Sequence, residues 1–221
     1  MEVTPGLILA MWASGMAGGS AVVSHWAIVG AGYSWRTAAV VALVGGATVV
    51  AAGPGYAMAA TGAALLAGIF ARRRHLTTLL FALSGLGFLV VATRDGGVIP
   101  AFTGTIVLGG MTSEMMLGHW FLIDPKLPRW ALQRLDLVAA IGLVLDLAVV
   151  ATMGGFGADD GVLIAAMVAL SAMTGVLTVA VWFSLREPGY PGVMAATGLS
   201  YLGVLTTFGV VVVGRLLLAG L

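Results

Sequence analysis

Long apolar runs, each ended by a short polar or glycine–proline cluster, divide the chain into eight segments. The runs cover about residues 5–32, 37–52, 56–71, 76–93, 98–123, 135–153, 161–185 and 193–221. Between them stand Tyr33-Ser34-Trp35-Arg36, Gly53-Pro54-Gly55, Arg72-Arg73-Arg74-His75 and Arg94-Asp95-Gly96-Gly97. The later breaks are a polar connection over 124–134, a glycine-rich loop over 154–160 and a turn over 186–192. Apolar/polar alternation with period two is absent, which argues against a membrane β-barrel. Uninterrupted runs of this kind predict transmembrane helices. The expected fold is all-α: a polytopic integral membrane bundle of about eight transmembrane helices. The second and third runs are short; two full spans are expected there, with a re-entrant pair as the alternative.

Thr4 is placed to cap the first helix, and Pro5 suits its first turn. Met1-Glu2-Val3 carries no basic cluster, so the start reads as a first membrane helix rather than a cleaved signal peptide. Composition agrees with the runs: 60% of residues are hydrophobic, 9% are charged, and the mean hydropathy is +1.09. A net charge of +1 offers no attraction to nucleic acid. The chain has no cysteine, which excludes disulfides, thiolate metal sites and iron–sulfur clusters within it.

The basic residues set the expected orientation. Arg36, Arg72, Arg73, Arg74, Lys126, Arg129, Arg134 and Arg186 all fall after odd-numbered helices. The opposite loops carry Arg94 with Asp95, Asp159 and Asp160. The positive-inside rule then puts both termini outside, in what is expected to be a bacterial cytoplasmic membrane. The lipid bilayer is the first expected partner, and other membrane subunits the next.

His25-Trp26 near the end of the first helix is echoed by His119-Trp120 near the end of the fifth. A second aromatic–basic pair follows each, Trp35-Arg36 and Arg129-Trp130. The echo points to two parallel four-helix halves, residues 1–95 and 96–221. The alternative is that tryptophan marks the membrane interface twice and histidine merely neighbours it.

Ionisable groups inside spans are costly and therefore candidates for function. They are His25, Glu114, His119, Asp146 and Arg215. Arg215, close to the end of the chain, is expected to snorkel to the outer interface. Glu114 and Asp146 are the candidate catalytic carboxyls. If neighbouring antiparallel helices bring them together, the pair suits proton relay, cation coordination or a hydrogen bond to a quinol. The alternative is that each bonds to a backbone carbonyl or a hydroxyl nearby. Met111, Met115 and His119 recur every four residues on one face, with Glu114 about 140° away at 100° per residue. Ser14, Gly18, Ala21 and His25 form a small-residue stripe on the first helix. It suits close helix packing or a flat porphyrin. His25 and His119 are the candidate metal ligands, as axial ligands of one b-type haem, with Met115 beside them. A copper site of methionine and histidine, or histidines that face headgroups, are the alternatives. On this reading the His119 face looks towards His25, and the Glu114 face towards Asp146. His75 reads as a solvated loop residue.

No lysine lies in a span, which excludes a retinal Schiff base, and no nucleotide-binding, zinc-protease or serine-hydrolase motif is present. Three functions remain. The first is a redox subunit holding haem b and exchanging electrons with quinone within a larger respiratory-type complex. The second is a small proton- or ion-coupled transporter using the buried carboxylates. The third is a non-catalytic accessory or assembly subunit.

Overall fold

The computed structural model describes residues 2–157 and 160–220. Among them are eight α-helices and no strand: α1 (Pro5–Trp26), α2 (Ala31–Ala52), α3 (Tyr56–Ile69), α4 (Arg74–Gly96), α5 (Val98–Phe121), α6 (Arg129–Thr152), α7 (Gly161–Ser184) and α8 (Tyr190–Ala219). A single 3-10 turn, Gly155–Gly157, lies between α6 and α7. Asp159 falls outside the described residues.

Six helices, α1, α2, α4, α6, α7 and α8, are long and apolar enough to cross a membrane. The chain is an all-helical membrane bundle. α5 has a span's length, 24 residues, but threonine, serine, Glu114 and His119 dilute its apolar character. α3 has only 14 residues, about 21 Å at 1.5 Å per residue. That is shorter than a hydrocarbon core of about 30 Å. α2 is longer than its apolar run predicts because it absorbs Tyr33, Ser34, Trp35 and Arg36 into its first turns.

Local chemistry explains the ends. The Thr4 hydroxyl accepts from the Leu7 N–H at 3.1 Å, with Pro5 in the first turn. α1 stops earlier than its apolar run, at Ala27, whose φ of 58° breaks the helix. Gly53 and Gly55 both take positive φ in the α2–α3 turn, where an L side chain would be strained. At α7 the Asp160 carboxylate accepts from Val162 and Leu163 N–H groups, filling two of the orphan donors of a helix start.

The first four helices close a ring in which α1 packs on α2 and α4, and α3 on its neighbours. α5–α8 close a ring in the same order. α1 against α5 is the main seam between the rings, joined by α4 against α5. The seam is close because glycine allows it. A Cβ on Gly15 would stand 2.6 Å from the Gly109 Cα, and one on Gly109 would meet Gly15 at the same distance. The Trp12 indole donates to Thr112 at 3.0 Å across this seam.

The even-numbered connections and the odd-numbered ones gather at opposite ends. At one end Trp26 meets Trp130 edge to face at 5.1 Å. There the Arg129 guanidinium donates to the Glu187 and Gly189 carbonyls, tying the start of α6 to the α7–α8 turn. This is the basic end. At the other, Asp95, Pro100, Met153 and Leu218 line one shallow cavity.

Candidate functional site

The register of α5 against α6 places the buried polar groups. A Cβ on Gly110 would lie 2.5 Å from the Ala139 backbone, and one on Gly142 2.6 Å from that of Val107. The helices are antiparallel, so three residues forward on α5 match three back on α6. The same register sets Thr103 opposite Asp146, and their side chains bond at 2.5 Å. It sets Glu114 opposite Leu135 and Asp136.

Glu114 and Asp146 therefore do not meet. The eleven residues between Thr103 and Glu114 on α5 separate the two carboxyls by about 16 Å along the axis. This corrects the sequence expectation of one carboxyl pair. Helical period tells which face a residue occupies; it does not set the axial offset between two helices, and here the glycine contacts set it.

Each carboxyl has its own surroundings. Asp146 is fully buried and faces Arg215, which is also fully buried. Nη2 of Arg215 lies 2.6 Å from Oδ1 and Nη1 lies 3.1 Å from Oδ2, a two-pronged pair. Arg215 Nη2 also donates to the Pro100 carbonyl at 2.5 Å. Arg215 thus does not snorkel outward, against expectation. Its fork finds a carboxylate on α6 and a carbonyl on α5, which hold Nη1 and Nη2 in place while Nε has no partner among the described residues. This cluster joins α5, α6 and α8 near the non-basic end.

Glu114 is fully buried where α5, α6 and α8 meet. Its Oε2 accepts from the Ser200 hydroxyl on α8, and its Oε1 has no partner. Asp136 is 3% exposed, with Oδ1 unpartnered, and lies on the face of α6 that the Gly110–Ala139 register sets against Glu114. The carboxyl that faces Glu114 is Asp136, which sequence reading missed by starting the sixth helix at Leu135. The signal was Pro128: a proline just before Arg129 marks a helix start, and from there Asp136 lies two turns inside α6.

The histidines lie elsewhere. His25 and His119 are both exposed, and His25 does not line the cleft that His119 lines. The Met111 face of α5 looks at α8 rather than towards His25. Met111 packs on Gly203, and His119 Nδ1 sits 3.2 Å from the Tyr201 hydroxyl. Met115 and His119 line a cleft of about 370 Å³ between α2, α5 and α8. His25, at the far edge of α1, has no hydrogen-bonding partner among the described residues. No group of three or more histidine or carboxylate side chains there is placed to hold a metal ion. His75 is exposed beside Arg74.

No protein-family model, curated protein or solved structure matches the chain.

Proposed function

We propose that the protein is a proton-translocating membrane carrier whose proton-binding site is Glu114, with Asp136 as its partner. The observation that carries this reading is two buried carboxyls on facing helices, each with an unpartnered oxygen, inside a membrane bundle. Such groups are expensive in a bilayer, and they are kept where charge or protons must cross. Proton counting supports it. The Ser200 hydroxyl has one hydrogen and two acceptors within reach, Glu114 Oε2 and the Ala196 carbonyl at 2.7 Å. A proton on Glu114 satisfies all three groups, because Glu114 then donates to Ser200 and Ser200 to Ala196. Loss of that proton leaves Ser200 to choose. The matching helix order of the two rings supports the reading of the chain as two parallel halves, a plan known among carriers. The site lies in the second half, beside the seam. Asp146, paired with Arg215, holds three of the four second-half helices, α5, α6 and α8, together at the non-basic end.

The test uses purified protein in liposomes under an imposed potassium-diffusion potential, with a pH dye inside. Wild type acidifies or alkalinises the lumen faster than empty liposomes. Glu114→Gln, which keeps shape and removes the titratable proton, abolishes the difference, and Asp136→Asn weakens it. Flux equal to that of empty liposomes, or flux unchanged in Glu114→Gln, overturns the proposal. The absorption spectrum of the same sample tests the redox alternative. A Soret band lost on replacing His119 would favour a haem subunit instead.

A further inference from the structure

The cleft that His119 lines is not used by the carrier reading, and its chemistry is particular. Three helices form it, yet α2 and α5 make no extensive contact there; Trp120 bridges the gap instead. Its ring meets Tyr33 edge to face at 5.9 Å and lies 5.0 Å beneath the Arg36 guanidinium. Stacking occupies one face of that guanidinium and leaves its in-plane N–H donors free. No carboxylate lines the cleft, and the one ion pair among the described residues is Arg215 with Asp146. Arg36 is therefore a cation without a counter-charge at the basic end of the bundle. Beside it stand the exposed His119 and Tyr201. The Tyr201 hydroxyl and His119 Nδ1 lie 3.2 Å apart, and in the tautomer in which Tyr201 donates, His119 Nε2–H is a further donor. Away from these polar groups the wall is apolar, with Ala39, Val40, Met115 and Met116.

We infer that this cleft binds an anionic phospholipid of the leaflet at the basic end. The phosphate lies against Arg36 and His119, and an acyl chain runs over Val40, Met115 and Met116. The charge selects the occupant. An apolar partner helix would offer Arg36 no acceptor, whereas a phosphate matches its fork, and an anionic headgroup adds net negative charge that a zwitterionic one cancels with its own ammonium. Trp35 and Trp120 line the same cleft, and tryptophan is enriched where headgroups meet the hydrocarbon. The inference does not rest on the proton reading of Glu114.

The experiment is native mass spectrometry of the purified protein equilibrated with mixed micelles of equal phosphatidylglycerol and phosphatidylcholine. Wild type retains phosphatidylglycerol in preference to phosphatidylcholine. Arg36→Gln, an exposed change that leaves the helices intact, lowers that preference about tenfold, as expected for one lost charge-assisted contact. Arg186→Gln, at the same end but outside the cleft, leaves it unchanged. Val40→Trp, which fills the apolar wall, lowers retention of both lipids. Equal retention of the two lipids by wild type overturns the inference. So does an equal loss in Arg36→Gln and Arg186→Gln, or solvent extraction of an isoprenoid quinone from the cleft in place of phospholipid.

Discussion

Asp146 of α6 and Arg215 of α8 form a two-pronged ion pair in which neither side chain reaches the surface. Their closest atoms are 2.6 Å apart, and Thr103 and the Pro100 carbonyl of α5 complete the cluster. Three helices of the second ring are thus fastened by one buried charge pair. In low dielectric such a pair is held in place by the penalty of parting it rather than by a large net gain.

Removing one partner should therefore cost far more than removing both. Arg215→Met leaves the Asp146 charge buried and uncompensated, and is expected to destabilise the protein by about 3–5 kcal/mol. The double variant Asp146→Leu with Arg215→Met should recover most of that loss. Thermal unfolding of the three proteins in one detergent checks this. A double variant no more stable than Arg215→Met would show that the pair is not the source of the effect.

The seam between the rings makes a contrasting pair of glycine predictions. In Gly15→Ala the new methyl group meets backbone atoms of Thr105 and Gly109 at 2.5–2.6 Å, so α1 and α5 must move apart. A loss of about 1–3 kcal/mol is expected, the usual range for overpacking. Gly18, one turn along the same helix, has nothing within 4 Å of where a Cβ would stand. Gly18→Ala should be neutral or gain up to about 1 kcal/mol from helix propensity. Equal melting temperatures for the two variants would contradict the close seam.

Orientation is open to a direct measurement, because the natural chain has no cysteine to remove. Single cysteines at Arg73 and Asp95 lie at opposite ends of α4. With the basic end inside, Asp95→Cys reacts with a membrane-impermeant maleimide on intact cells. Arg73→Cys then reacts only after the membrane is opened. The reverse pattern would place both termini inside.

Much of the bundle is legible in the residues themselves, for a simple reason. A bilayer demands apolar length and internally bonded backbone, so runs of apolar residues and their polar breaks mark helices directly. Thr4, Pro5 and the Gly53-Pro54-Gly55 turn have local meanings that survive folding. The expectation that Glu114 and His119 occupy different faces of α5 follows from helical period alone, and one is buried while the other is exposed. What period cannot supply is the offset between helices. Contacts of Gly110 with Ala139, and of Gly142 with Val107, decide that Asp136 rather than Asp146 faces Glu114. Packing, too, decides that Arg215 turns inward to a carboxylate instead of outward to water. Those outcomes depend on which small residues let two backbones approach, a property of pairs of helices that no single stretch of chain contains.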